Sequence, residues 1–217
     1  GIPVLRHLAF EQVADVKMYD NDRDFLFGDH IIVSPVIAPK VQRQMIHLPS
    51  GAWFHFWTGQ LVQGGSDFFI NVQIDEIPFF VREGAVLPIY PIRQHSDEKI
   101  EELTLYAYYK DGKESSVFYE DDGDGFDNER SGWFTRMDLF TEGDKTKFAL
   151  QVKRSGSRPA NYAKITVIAV GLPYYVRKCM IDGIDHPIRE MRVREKSIYS
   201  AQVTSNFQEI VWSAETV

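Results

Sequence analysis

The sequence contains a single cysteine, Cys179, among its 217 residues. One thiol cannot form an internal disulfide framework, and it matches no metal or redox motif, so we expect a buried small hydrophobic side chain. The six histidines are scattered without an i, i+4 or H-x-H spacing, which makes a zinc site unexpected. We therefore expect no cofactor.

Long apolar runs and an excess of positive charge are also missing. No run approaches the roughly 20 residues of a membrane-spanning helix, and no basic-then-apolar leader is present. The sequence therefore predicts a soluble chain and does not indicate its cellular compartment. A formal net charge of −7 disfavours nucleic acid and anionic membranes as partners, whereas a neutral ligand such as a sugar fits better. The first residues, Gly1 to Val4, include no Met, which we interpret as an internal start within a longer protein.

Short β-branched and aromatic segments separated by Gly, Pro and Asp turns make up most of the chain. Aromatic residues account for 13% of it, and strand-like segments recur at about 10-residue spacing in the second half, a pattern typical of antiparallel sandwiches. One turn, Pro49 to Gly51, lies between two such segments and predicts a hairpin there. The fold class predicted is all-β.

Changes in composition divide the chain into three parts. Residues 1–27 combine a short apolar strand with a polar segment and look like the last βα unit of something else. The most polar connecting stretch, IRQHSDEK at 92–99, is the best boundary candidate further along. We therefore predict two small antiparallel β-domains, sandwich- or barrel-like, at 28–92 and 93–217, preceded by that separate unit at 1–27.

Three blocks of sequence resemble, in order and spacing, a known family of α-glucosidases. They read FLFGDHIIVSPVIAP (25–39), LPSGAWFHFWTGQ (48–60) and IPFFVREGAVLPIYP (77–91). Together they are similar to the region that follows the catalytic (β/α)8 barrel in glycoside hydrolase family 31. The preceding PVLRHLAF resembles that barrel's last strand, so the resemblance implies that residues 1–27 are a remnant of a (β/α)8 barrel. The segment VFYEDDGDGFDNERSGWF (117–134) resembles an acidic turn of the family's C-terminal domain.

The resemblance implies a parent enzyme that acts on α-glucosides as a retaining glycosidase. Family members use two Asp residues on barrel loops well before the last strand, so no catalytic residue is assigned to this chain and the fragment alone should be inactive. Its partners would be the catalytic barrel of the parent and the parent's carbohydrate substrate. Two alternatives remain open: an independent carbohydrate-binding module, and a purely structural or oligomer-forming domain.

The densest group of carboxylates, between Glu120 and Glu129, offers weak calcium ligands. With Glu120 at the first position of an EF-hand loop, Asp122 and Asp124 fall at the third and fifth. The twelfth position is Ser131, where a bidentate Glu is needed, so an Asp-Gly turn whose carboxylates cap backbone N–H groups is favoured. Side by side on a polar loop, these acids are expected to be solvated rather than catalytic.

The aromatic run from Trp53 to Trp57 offers the strongest candidates for direct sugar contact. Strand alternation places Trp53, His55 and Trp57 on one side and the two phenylalanines between them on the other. Because both faces are aromatic, we favour a strand covered on both sides, by its own core and by the absent barrel, over a sugar platform formed by Trp53 and Trp57.

Several apolar side chains near the start of the chain are expected to be buried against other residues. In a barrel strand they would be buried, and leaving each in water forfeits roughly 1.5–3 kcal/mol. We therefore expect this segment to pack onto residues 28–92 or onto a neighbouring molecule. The side chains are Ile2, Val4, Leu5, Leu8 and Phe10.

Overall fold

The computed structural model describes the chain in five stretches, which are residues 2–10, 15–95, 98–123, 127–193 and 196–214. The chain divides into two compact units, Gly1–Glu83 and Gly84–Val217, called unit 1 and unit 2 below. Both units are built almost entirely from β-strands, which confirms the predicted fold class. The described residues contain no helix long and apolar enough to cross a bilayer.

Unit 1 contains short strands and two 3₁₀ turns, Leu8–Phe10 and Val16–Met18. Its strands are β1 (Leu5–His7), β2 (Phe25–Phe27), β3 (Ile31–Val33), β4 (Arg43–His47), β5 (Ala52–His55), β6 (Leu61–Gln63), β7 (Asp67–Asn71) and β8 (Phe79–Arg82). They form a six-stranded sheet in the order β1-β2-β3-β8-β5-β6 and a two-stranded sheet of β4 and β7.

A long bent hairpin joins the two sheets of unit 1. Strand β4 pairs with β7, and β5 pairs with β6, so the chain returns on itself across residues 56–60. Between the two pairs, the N–H of Gly64 donates to the carbonyl of Gly51 (2.8 Å) and that of Gly65 to Leu48 (2.8 Å). The segment from Pro49 to Gly51 is therefore a bend inside one arm, and the hairpin predicted around it is wrong.

The core of unit 1 lies between these two sheets. Strand alternation sends Leu26, Ile32 and Phe80 to one face of the six-stranded sheet, where each is nearly or completely buried. Side chains from β4 and β7 and from the first 3₁₀ turn complete the cluster. The further members and their neighbours are Leu8, Met18, Ile46, Leu48, Trp53, Val62, Phe68 and Ile70.

The first strand belongs to this sheet, because Leu5 pairs with Phe27 and His7 with Phe25. The expectation that the segment packs onto the following residues is met by Leu8, which is completely buried. The other side chains singled out in the sequence stay exposed, with Ile2 at 74% and Phe10 at 76%. The identification of residues 1–27 with a barrel unit stays a prediction.

Unit 2 contains longer strands and, among its described residues, one short helix, α1 (Asn128–Ser131). The strands are β9 (Val86–Ile89), β10 (Glu102–Tyr108), β11 (Gly112–Glu120), β12 (Thr135–Gly143), β13 (Lys147–Ser155), β14 (Lys164–Val170), β15 (Lys178–Ile181), β16 (Ile184–His186), β17 (Arg189–Val193), β18 (Lys196–Thr204) and β19 (Glu209–Ser213).

Unit 2 is a two-layer sandwich. One sheet has the order β17-β18-β14-β10-β9 and the other β11-β12-β13-β19-β15-β16. Buried side chains of β10 and β14, such as Leu105 and Val167, belong to the same cluster as Leu139 and Leu150 of the second sheet. Strands β10 and β14 run parallel, a departure from the antiparallel pairing that the sequence predicted for this half. Cys179 is buried and free, as predicted, and burial raises the pKa of its thiol to about 11.

The division between the units differs in position from the boundary proposed from composition. Strand β9 pairs with β10, so residues just before the polar stretch belong to the sheet of unit 2. A boundary of independent folding after residue 27 or residue 92 stays a prediction.

Candidate functional site

The two tryptophans singled out as sugar contacts have different surroundings. Trp53 is only 4% exposed, and its indole N–H donates to the carbonyl of Pro49 (2.9 Å). Trp57 lies beyond the end of β5 in the turn, is 36% exposed, and donates to the carbonyl of Ile77 (2.8 Å). Trp53 is thus a core residue here, whereas Trp57 keeps ring surface in reach of a ligand.

Strand β5 is buried on both sides, as predicted, although this chain alone provides the cover that the prediction assigned in part to the absent barrel. Trp53 and His55 point to the core face, while Phe54 on the opposite face is 1% exposed. The strand stops at His55, so the alternation does not extend to Trp57. Instead Phe56 stacks on Phe79, with ring centroids 4.2 Å apart.

The second face of the six-stranded sheet is apolar as well. Register places Leu5, Phe27 and Ile31 in one row across three strands, on the side opposite Leu26 and the core. A sheet face that is exposed to solvent normally carries polar side chains. Here the members on β1, β2, β3 and the start of β8 are Leu5, Phe25, Phe27, Ile31, Val33, Phe79 and the polar His7, which we call the outer face. The same side of the sheet continues into Val81 and Phe54, which are buried.

Much of the outer face is open to solvent. Leu5 is 59% exposed and Phe27 is 47% exposed, although the two lie directly opposite each other on β1 and β2. The other members are half-buried. A contiguous apolar surface of this kind marks a place where another molecule or domain packs.

A charged cluster ties the second 3₁₀ turn to the two-stranded sheet of unit 1. His47 lies between two carboxylates, with Nε2 3.0 Å from Asp15 and Nδ1 2.5 Å from Asp67. Lys17 donates to the other oxygen of Asp67 at 2.7 Å. The hydrogen bond from Lys17, and then that from His47, lowers the pKa of the Asp67 carboxyl. The cluster is polar and satisfied, which suits a structural role.

This cluster predicts a pH-dependent loss of stability. A carboxyl whose pKa is lowered by folding contributes stability above its unfolded pKa of about 3.9, and the contribution is lost as the pH falls through the folded value. We expect Asp67→Asn to lower the urea midpoint of unit 1 at pH 7, with the difference from the wild type vanishing in acid. Asp22→Asn, at an exposed carboxyl of the same unit, is the control. A deficit that persists unchanged into acid would contradict the ionic role.

The buried carboxylate of Asp24 is a feature that the sequence did not reveal. Asp24 is 2% exposed, and its oxygens accept hydrogen bonds from Arg23 (2.8 Å) and from the hydroxyl of Ser34 (2.6 Å). Ser34 in turn accepts from the amide of Gln44 at 2.8 Å. A buried charge needs such partners, so this network fixes β3 against β4 rather than forming a reactive site.

The acidic segment proposed as a calcium loop joins β11 to β12 in unit 2. The carboxylate of Glu120 accepts hydrogen bonds from two phenols, Tyr90 (2.5 Å) and Tyr162 (3.0 Å). Asp122 accepts from the amide of Asn128 at 2.9 Å. Asp124 lies outside the described residues. Within the part of the chain that is described, no group of three potential metal ligands comes together.

The turn interpretation of this segment has support at Asp121. Its carboxylate accepts a hydrogen bond from the backbone N–H of Gly123 (2.9 Å), which is the capping expected of an Asp-Gly turn. The connection is longer than a tight hairpin, however, because it also contains α1. Calcium binding by Glu120, Asp122 and Asp124 stays a prediction.

A cavity of about 510 Å³ opens beside Glu120, and we call it the Glu120 cavity. Its lining includes Tyr90, Arg93, Tyr119, Asp121, Arg158 and Asn161. Burial raises the pKa of Tyr90 and of Tyr162, and their hydrogen bonds to the Glu120 carboxylate raise it further. Both phenols therefore stay protonated and hold Glu120 in place. No pattern in the sequence predicted this arrangement.

Comparison with known families identifies the first part of the chain. Residues 1–87 match the family model described as the glycosyl hydrolase family 31 C-terminal domain. The match covers unit 1 and the start of unit 2.

Curated relatives extend the similarity further along the chain. Alpha-glucosidase 2 of Bacillus thermoamyloliquefaciens is 28% identical over 158 residues, which is 72% of this chain and 20% of the relative. Alpha-xylosidase of Saccharolobus solfataricus is 30% identical over 155 residues, 71% of this chain and 21% of the relative. The chain thus spans about a fifth of the length of these two relatives.

Solved structures share the fold over almost the whole chain. A GH31 dextranase of Flavobacterium johnsoniae, complexed with isomaltotriose, superposes with a TM-score of 0.87 at 21% identity, covering 98% of this chain and 29% of that one. The GH31 alpha-xylosidase of Xanthomonas citri superposes with a TM-score of 0.72 at 25% identity, covering 98% and 22%. Both units therefore have counterparts within larger proteins.

Proposed function

We propose that this chain is the C-terminal β-rich region of an enzyme acting on α-glucosides. The proposal starts from the match of residues 1–87 to the glycosyl hydrolase family 31 C-terminal domain. In this role it supports a catalytic (β/α)8 barrel and is not catalytic by itself. The relative named as an alpha-glucosidase supports this substrate class, and the one named as an alpha-xylosidase supports only the wider class of α-glycosides.

The outer face of unit 1 is the observation that carries the proposal. Leu5 and Phe27 form an exposed cross-strand pair in a row of apolar side chains. Full burial of a Leu or Phe side chain is worth roughly 1.5–3 kcal/mol, and about half of each remains exposed here. Covering the face would therefore stabilise the assembly by a few kcal/mol, enough to hold a domain of the same chain in place.

The occupant we assign to the outer face is the barrel. The chain accounts for about a fifth of its curated relatives, so most of such an enzyme lies elsewhere. Retaining glycosidases require two carboxylates held close together across a shaped cleft. By resemblance to the family, that pair belongs to barrel loops, and the β-domains would keep the barrel folded and its loops in position.

A chimaera tests the proposal. The chain would replace the matching fifth of the B. thermoamyloliquefaciens alpha-glucosidase 2, and activity would be followed with a chromogenic α-glucoside. We expect the chimaera to be active. The double substitution Leu5→Asp with Phe27→Asp should lower its activity at least tenfold and should also lower its thermal inactivation temperature. Two charges on the outer face would have to be desolvated against the barrel.

Matched measurements exclude simpler explanations. Ile184→Asp, at a side chain of unit 2 that is 73% exposed, should leave the chimaera unchanged. In the isolated 217-residue chain the double variant should lose much less stability than in the chimaera, since about half of each side chain is already exposed to water. If the wild-type chain instead forms a stable dimer through the outer face and the chimaera is indifferent to the double substitution, the oligomer-forming alternative is correct and the barrel assignment is wrong.

A further inference from the structure

We propose that the Glu120 cavity of unit 2 is a binding site for a neutral saccharide, separate from any catalytic centre. The inference concerns this unit alone and does not depend on the barrel assignment, although the choice of α-glucosyl probes below does. The cavity volume of about 510 Å³ lies within the range of roughly 300–1,000 Å³ that is usual for small-molecule sites.

The wall of the cavity is rigid before any ligand arrives. Glu120 holds the hydroxyl groups of Tyr90 and Tyr162 through one carboxylate oxygen each. The guanidinium of Arg93 lies over the ring of Tyr90, 5.0 Å from its centroid, and Phe118 packs against the same ring. Side chains that are already ordered lose little conformational entropy on binding.

Tyr119 lies near the end of β11 and is one of the residues that line the cavity. Its ring stacks on Phe134, with centroids 5.4 Å apart and planes 25° apart, and it is still 39% exposed. One ring face is thus supported while the ring remains open to a ligand. A supported, partly exposed aromatic ring next to polar groups suits the apolar C–H face and the hydroxyl edge of a sugar.

The charges in the lining point to a neutral ligand. The cations are Arg93, Lys99 and Arg158. The carboxylates are Glu98, Glu120, Asp121 and Asp122. The positive and negative charges of the lining nearly cancel, with a small acidic excess. The electrostatic potential in the cavity therefore strongly favours neither an anion nor a bare cation. A polyhydroxylated molecule can donate to the carboxylates and accept from the cations, so it matches both.

Two further polar residues, Arg158 and Asn161, line the cavity. Nη1 of Arg158 is a buried atom that makes no hydrogen bond within the described residues. The amide of Asn161 also lines the cavity and can both donate and accept. Together with Tyr119 they form a small set of convergent polar and aromatic groups, the pattern of a saccharide site.

Titration of the full 217-residue chain with isomaltotriose and maltotriose tests the inference. Calorimetry gives the affinity, and amide chemical shifts locate the site. We expect saturable binding, with shifts around Tyr119 and Asn161. Tyr119→Ala and, separately, Arg158→Gln should each weaken binding about tenfold, which is the loss of one stacking contact or one charged hydrogen bond. Tyr175→Ala, at an exposed tyrosine of the same unit, should bind as the wild type does.

The outcomes that overturn the inference are distinct. Wild-type chain that binds neither trisaccharide at tens of millimolar has no such site. Binding that survives both substitutions in chains shown by melting to be folded, or that depends on Trp57 instead, places the site elsewhere. Tighter binding of glucose 6-phosphate than of glucose contradicts the neutral ligand class. None of these results bears on the chimaera, so the two proposals fail independently.

Discussion

Replacing Trp212 by alanine should lower the free energy of unfolding of unit 2 by about 3–5 kcal/mol. Trp212 is completely buried in β19, in one row with Phe148 on β13 and Cys179 on β15. Its ring stacks on that of Phe148, with centroids 6.0 Å apart. Alanine would leave a cavity between the two sheets that surrounding strands, tied in ladders on both sides, cannot close.

Urea unfolding, monitored by far-ultraviolet circular dichroism, measures this effect without relying on the fluorescence of Trp212, which the substitution removes. The matched control is Trp133→Ala, at a tryptophan of the same unit that is 45% exposed, which should cost less than about 1 kcal/mol. Equal losses for the two tryptophans would mean that Trp212 does not form part of a packed core.

Gly64→Ala should destabilise unit 1 by about 3 kcal/mol, because the bent hairpin has no room for a side chain there. A Cβ at Gly64 would lie 1.8 Å from the carbonyl oxygen of Pro49 and 2.8 Å from its carbon. These atoms belong to the backbone, so no rotamer change relieves the clash. The hydrogen bond from Gly64 to Gly51 would have to break for the two arms to separate.

The control for this variant is Gly28→Ala in the same unit. Gly28 has φ of +65°, and a Cβ there meets nothing within 4 Å, so the cost is limited to the left-handed backbone strain of about 1–2 kcal/mol. Thermal melting of both variants ranks them. A Gly64→Ala protein that melts above Gly28→Ala would show that the two arms do not approach as closely as described.

Local sequence patterns predicted the secondary structure better than the pairing. Alternation and turn residues identify β-strands correctly, and Gly28 and Gly84 do adopt the positive φ expected at turns. The pattern around Pro49 also marks a change of direction correctly. It cannot reveal that β4 pairs with β7 instead of β5, since the partner is chosen by contacts beyond the turn. The parallel pairing of β10 with β14 is a long-range contact of the same kind.

The candidate sites show the same limit. Trp57 and the acidic segment were visible because their residues are neighbours in the sequence. The Glu120 cavity was not, because Tyr90 and Tyr162 come from elements far from Glu120 in the chain. The outer face was visible in part: apolar residues near the start of the chain required cover, but their alignment with Phe27 depends on strand register.

The order of strands in the first sheet of unit 2 has a consequence for self-association. An unprotected edge strand offers free N–H and C=O groups to another chain and invites aggregation. Strand β9, at one edge, contains Pro88, which has no N–H to donate. Strand β17, at the other edge, carries the exposed charges of Arg189 and Glu190. Both open edges of this sheet are thus built to resist the addition of a foreign strand.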